Sequence, residues 1–115
     1  MFGLAVPVAG NGDNTRDIEI RDNTFLGPPD NFCNQVVLVG FYPTNPNTIK
    51  NVVVEGNKIF SSGTAIEFEH VVGGSIQNNT ITQVPPGTTA EQYCQGSSAP
   101  VLKNSSGVTV ANNGT

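Results

Sequence analysis

Four stretches of this chain share one pattern, and that pattern leaves few folds open to it. The clearest copy is Asn51-Val52-Val53-Val54-Glu55-Gly56-Asn57-Lys58-Ile59. Asp17-Ile18-Glu19-Ile20-Arg21-Asp22-Asn23-Thr24-Phe25 lies over it residue for residue, as do Gly73-Gly74-Ser75-Ile76-Gln77-Asn78-Asn79-Thr80-Ile81 and Gly107-Val108-Thr109-Val110-Ala111-Asn112-Asn113-Gly114-Thr115. Ile20, Val54, Ile76 and Val110 fill one column, and Asn23, Asn57, Asn79 and Asn113 another, with Phe25, Ile59 and Ile81 following. Successive asparagines are 34, 22 and 34 residues apart. A short motif recurring at such periods, with insertions between copies, is the mark of a solenoid.

The motif alternates with a period of two, which is the periodicity of a strand. Too few residues separate the copies for an amphipathic helix with its loops, so each unit is all-β. A second column lies between the asparagine strands: Ala5-Val6-Pro7-Val8, Val36-Val37-Leu38-Val39, Ala65-Ile66-Glu67-Phe68 and Ala99-Pro100-Val101-Leu102. Each unit therefore has at least two strands joined by turns rich in Gly, Asn, Ser and Pro. At 115 residues the chain is read as a single domain, 1–115, of about three coils. Its expected core is Ile18, Ile20, Val52, Val54, Ile59, Ile66, Phe68, Ile76, Ile81, Val108 and Val110.

On these residues the chain resembles the right-handed parallel β-helix proteins of the pectate-lyase-like superfold, whose coils carry an apolar-x-apolar-x-x-Asn-x-apolar signature with stacked asparagines. The resemblance spans roughly residues 4 to 115 and implies a ladder in which each Asn amide bonds to the amide one coil away. A left-handed bend at the asparagine itself is part of that expectation. The superfold houses lyases, glycoside hydrolases, epimerases, esterases, tailspikes and adhesins, so it implies a fold more narrowly than a function. It points to an extracellular carbohydrate-active protein that binds or cleaves a polysaccharide. The alternatives are a non-catalytic structural or adhesive module, and an inactive fragment of a longer β-helix protein.

Charge narrows the partners. The formal net charge is −4 with 5 Lys and Arg, and no basic stripe runs along any strand. Nucleic acid and anionic membrane surfaces are disfavoured on that account. No apolar run reaches membrane-spanning length, and the apolar stretch Phe2 to Val8 lacks the basic flank of a signal peptide. The first strand opens in mid-coil and neither end offers an amphipathic capping helix, so flanking coils or self-stacking are expected partners. No cofactor is expected. Asp13 with Asn11 and Asn14 lacks the full pattern and closing Glu of a calcium loop, and two cysteines with one histidine make a poor zinc site.

Two long loops, Leu26 to Asn34 and Thr82 to Ser98, leave the same edge of coils one and three, and each carries Pro-Pro followed by an aromatic-Cys pair. Coils two apart stand about 9.6 Å from each other, within reach of loops this long. A Cys33–Cys94 disulfide is expected, with two buried thiols as the alternative. The bridge would place the protein in an oxidising compartment, hence secreted or at the cell surface. Phe41 and Tyr42, just past a strand, and Tyr93 are candidate sugar-stacking side chains.

The stretch with catalytic character is Ala65-Ile66-Glu67-Phe68-Glu69-His70. With Ile66 and Phe68 turned to the core, Glu67 and Glu69 project from one outer face, roughly 6.5 to 7 Å apart along the strand. That spacing suits an inverting glycosidase, with one carboxyl as acid and the other activating water. Glu67, Glu69 and His70 are thus the candidate acid/base set, and a Glu69–Lys103 ion pair one coil apart is the simple competing reading. Arg21 and Glu55 are expected to pair in the same way. The outer columns Glu19-Val53-Ser75-Thr109 and Arg21-Glu55-Gln77-Ala111 hold no aspartate cluster beside a free cation, so the residues of a calcium-dependent lyase find no match here.

Overall fold

A computed structural model describes residues 4–6, 16–26, 36–40, 48–61, 63–83 and 99–114. Among them the chain is all-β, with eleven strands in three parallel sheets. The first pass through the sheets is β1 (Leu4–Val6), β2 (Arg16–Arg21) and β3 (Thr24–Leu26). The second is β4 (Val37–Val39), β5 (Ile49–Glu55) and β6 (Lys58–Ser61), and the third is β7 (Ile66–Glu69), β8 (Val71–Gln77) and β9 (Thr80–Gln83). A fourth begins with β10 (Val101–Lys103) and β11 (Ser106–Ala111).

Sheet A has the order β1-β4-β7-β10, sheet B β11-β8-β5-β2 and sheet C β3-β6-β9. Every sheet is therefore built from the same strand of successive passes. The repeat copies fall in register as the columns require: Ile20 on Val54, Val54 on Ile76 and Ile76 on Val110. The third sheet, on which Phe25, Ile59 and Ile81 lie side by side, raises the strands per pass from the minimum of two to three. Three passes are complete, and the fourth copy of each aligned column adds a strand to sheets A and B. In sheet A the first strand pairs Leu4 with Val37 and Val6 with Val39. That is two residues earlier than the alignment on Ala5-Val6-Pro7-Val8.

The inward rows form one apolar core from Ile20, Val36, Val37, Val39, Ile49, Val52, Val54, Ile59, Ala65, Ile66, Phe68, Val71, Ile76 and Ile81, with Ile18, Phe25 and Val108 packed against it. Val110 departs from expectation: it shares the column of Val54 and Ile76, both fully buried, yet is 45% exposed. Val110 is on β11, at one end of sheet B, and Ile20 at the opposite end of the same column is only 4% exposed, so it is the last pass and not an end strand as such that leaves the column open; Leu102 on β10 of that pass is likewise 39% exposed.

Corners between strands use the left-handed backbone in columns. Gly40, His70 and Asn104 turn the chain from sheet A towards sheet B, Asp17, Asn51, Gly73 and Gly107 bend it at the start of the sheet B strands, and Asp22, Gly56, Asn78 and Asn112 turn it into sheet C, all at positive φ. Gly, Asn, Asp and His are the residues that pay least for that conformation. The left-handed residue at the last corner precedes the ladder asparagine, which corrects the expectation that Asn23, Asn57, Asn79 and Asn113 themselves take it. Those four are free to point inward and bond.

The ladder they make is continuous. Asn57 Oδ1 accepts from the Asn23 backbone N–H at 2.9 Å and from Asn23 Nδ2 at 3.2 Å. Asn79 Oδ1 accepts from Asn57 N–H at 3.0 Å and Nδ2 at 2.9 Å, and Asn113 Oδ1 from Asn79 at 3.3 and 2.7 Å. Each Nδ2 also donates back to a carbonyl of the preceding pass: Asn57 to Ile20, Asn79 to Val54, Asn113 to Ile76. Asn57 and Asn79 are buried, and each finds a partner for both its amide oxygen and its amide nitrogen, which is what makes burial of the amide tolerable.

Candidate functional site

Sheet A and sheet B differ on their outward rows, and the difference places the candidate site. On sheet B the outward Glu19, Lys50, Val72 and Thr109 are exposed. On sheet A the outward row is buried on β4 and β7, where Leu38 is 1% exposed, Glu67 5% and Glu69 6%, and opens on β10, where Lys103 is exposed. The glutamates keep the face predicted for them, since Ile66 and Phe68, which alternate with them, enter the core, but they are buried where a surface pair is expected.

Their register neighbours are those read from the columns. Glu67 lies between Leu38 on β4 and Val101 on β10, and Glu69 pairs with Lys103. Lys103 then does more than the sequence suggested. Its Nζ stands 3.6 Å from Glu67 Oε1 and 3.8 Å from Glu69 Oε1, so one half-exposed ammonium faces both carboxyls. The diagonal contact to Glu67 is the addition, since side chains offset by two across neighbouring strands are within reach of a lysine. Instead of flanking an open gap for water, the two carboxyls converge on a single point held by Lys103.

Burial raises the pKa of Glu69 above its ordinary value, the nearby Glu67 carboxylate adds to the rise, and Lys103 and His70 oppose it. Glu69 Oε2 is buried with no hydrogen-bond partner among the described residues. A buried carboxylate without donors favours its protonated form. The direction of that shift is the one a general acid needs.

His70 sits at the sheet A to sheet B corner with φ +55°. Its backbone N–H donates to the Lys103 carbonyl at 3.0 Å, and its carbonyl accepts from Ile49 N–H at 2.9 Å. Its neighbours in that column, Gly40 and Asn104, take the same left-handed bend, and its electrostatic influence on Glu69 is the smallest of those acting there.

The other predicted positions divide cleanly. Arg21 pairs with Glu55 at 3.0 Å, as expected, and also with Glu19 at 3.3 Å. Phe41, Tyr42, Tyr93 and the Cys33–Cys94 pair lie outside the described residues. Among the described residues no group of three or more His, Cys, Asp and Glu side chains converges as metal ligands would. In comparisons with known proteins no family model matches the chain, and no curated protein or solved structure matches it significantly.

Proposed function

We propose that the three parallel sheets are the walls of a right-handed parallel β-helix, and that the chain is part of an extracellular carbohydrate-active protein that binds or cleaves a polysaccharide on the outward face of sheet A. The hand follows from the strong preference of parallel crossovers for the right-handed sense. The observation that carries the functional half is the carboxyl pair: Glu69, pushed towards its protonated form, beside Glu67 on one strand of a solenoid. In this reading Glu69 protonates the glycosidic oxygen and Glu67 acts as base, with Lys103 withdrawn from between them. Phe41, Tyr42 and Tyr93 are proposed to stack on sugar rings, and secretion with a Cys33–Cys94 bridge belongs to the same proposal.

The second reading is a structural or adhesive module without catalysis, and Lys103 favours it. One ammonium opposite both glutamates gives each of them a structural partner, and the asparagine ladder serves stability whatever the protein does. Incubation of the purified chain with neutral and acidic polysaccharides, with and without calcium, separates the two. Reducing ends that vanish in a Glu67→Ala/Glu69→Ala variant support hydrolysis on the third pass. Folded protein that yields no product from any polymer leaves the structural module.

A further inference from the structure

Asn-x-Ser/Thr triplets, the acceptor pattern for N-linked glycans in secreted chains, begin at Asn78, Asn104 and Asn113. The fold treats the three unequally. Asn78 stands at the left-handed corner from sheet B into sheet C, and Asn104 at the one from sheet A into sheet B. Both are exposed, and neither side chain bonds to another described residue. The bend accounts for an asparagine at each corner but not for the hydroxyl two residues on. Thr80 shares its row with Lys58, and Ser106 shares its row with Val72 and Lys50, so neither row demands a hydroxyl. Asn113 is instead a rung of the ladder: its Oδ1 accepts from Asn79 N–H and Nδ2, and its Nδ2 donates to the Ile76 carbonyl at 2.8 Å.

We propose that Asn78 and Asn104 are N-glycosylation sites of the folded protein and that Asn113 stays bare. This rests on the extracellular reading above, because the donor, a lipid-linked oligosaccharyl pyrophosphate, and its transferase belong to the secretory route. In the transfer the Asn Nδ2 bonds to the anomeric carbon of the sugar as the bond from that carbon to the pyrophosphate oxygen breaks. The lipid pyrophosphate leaves, and Nδ2 gives up one proton. Asn79, the middle residue of the first triplet, is buried in the ladder, so transfer precedes closure of the passes. The fold then decides which glycosylated chains can close. A glycan on Asn78 or Asn104 projects into water from a corner, whereas one on Asn113 would be built on a nitrogen turned to the Ile76 carbonyl.

The repeat supplies an equivalent position. Asp22 takes the corner of Asn78 on the first pass, with φ +55° against +56°, and is exposed. Asn23-Thr24 follows it as Asn79-Thr80 follows Asn78, and Thr24, like Thr80, is exposed. Asp22→Asn therefore writes the same Asn-Asn-Thr triplet at the same corner and should be modified as Asn78 is.

The test is secretion of the chain from a eukaryotic cell behind a cleaved leader. Enzymatic glycan release, which converts each modified asparagine to aspartate, and mass spectrometry then map the sites, with free-thiol labelling of the same sample. Asn78 and Asn104 are expected to be converted and Asn113 not. Thr80→Val and Ser106→Ala, which leave both corner asparagines in place, are each expected to lose one glycan, and Asp22→Asn to gain one. Secreted chain with Cys33 and Cys94 bridged but with Asn78 and Asn104 bare overturns the sites and leaves the extracellular reading standing. Asn113 modified as fully as Asn78, or no gain in Asp22→Asn, overturns the selection of corner over ladder. Parent chain and variants all retained in the cell with free thiols remove both the sites and the extracellular reading.

Discussion

Replacing Asn57 by alanine removes the central link of the asparagine ladder, and its cost can be worked from the contacts. The Asn57 side chain is fully buried. It accepts from Asn23 N–H at 2.9 Å and donates to Asn79 Oδ1 and Ile20 O, each at 2.9 Å. The longer bonds, from Asn23 Nδ2 at 3.2 Å and to Glu55 O at 3.3 Å, involve groups nearer to water and contribute less. Three short bonds at about 1 kcal/mol each give about 3 kcal/mol, with the small cavity adding to it. Asn23, exposed on the first pass, only donates along the ladder to Asn57, so Asn23→Ala should cost about 1 kcal/mol. The difference of about 2 kcal/mol is the quantity to measure, by urea unfolding followed in the far-ultraviolet circular dichroism with the slope checked for constancy. Asn57→Asp sharpens the test. It keeps the shape but points a carboxylate at Asn79 Oδ1 and the Ile20 carbonyl, which raises its pKa in the fold. Its deficit should therefore be small in acid and grow as pH rises through the ordinary aspartate range. Equal costs for Asn57→Ala and Asn23→Ala would refute the reasoning, because the ladder would then carry no more in the core than at its end.

Further outcomes follow from the same contacts. Gly74→Ala would place a Cβ 2.0 Å from the Val52 carbonyl oxygen at φ +114° and should cost about 3 kcal/mol or more, whereas Gly114→Ala, with open space around it, should change a thermal melt by less than about 0.5 kcal/mol. Val54→Ala should cost about 2 kcal/mol and Val110→Ala under about 1 kcal/mol in the same column, since only the first is enclosed. Glu69 has a folded pKa above its ordinary value of 4.5, so its contribution is whole below that value and is lost as pH rises through the folded pKa. A stability profile of Glu69→Gln should accordingly lack that loss; parallel profiles for parent and variant would show that Glu69 titrates as it does in the unfolded chain.

Much of this architecture was readable because a stack of parallel strands repeats its demands. Each pass needs an apolar inward row, a residue that bends left-handed and an amide at the corner, so Ile20, Val54, Ile76 and Val110 or Asn23, Asn57, Asn79 and Asn113 announce themselves by position. Burial was less legible. Val110 carries the column's residue type but belongs to the last pass, where Leu102 is open as well, while Ile20 at the other end of the column is buried; no local pattern encodes that difference. The third sheet was half seen, since its strands are short and its inward residues, Phe25, Ile59 and Ile81, looked like the tail of the preceding strand. At the candidate site the alternation of Glu67 and Glu69 gave their face and their register with Lys103. Their shielding, the pKa of Glu69 and the double reach of Lys103 come from three dimensions. His70 shows how one position answers two demands: beside two glutamates it reads as chemistry, and in the fold it also takes the left-handed backbone of its corner.

The register of the passes is the claim on which the rest depends, and paired nitroxide labels on the outward row of sheet B measure it directly. Val53 and Ser75 lie side by side on β5 and β8, while Glu19 and Thr109 occupy the same row at its two ends. Labels at Val53 and Ser75 should be about 5 Å apart at the backbone, and labels at Glu19 and Thr109 about 14 Å, one strand spacing against three. Strong dipolar broadening for the first pair and weak broadening for the second is the predicted result. Spectra for the Val53 and Ser75 pair that equal the sum of the single labels would contradict the stacked register, and with it the placement of Glu67, Glu69 and Lys103 on one face.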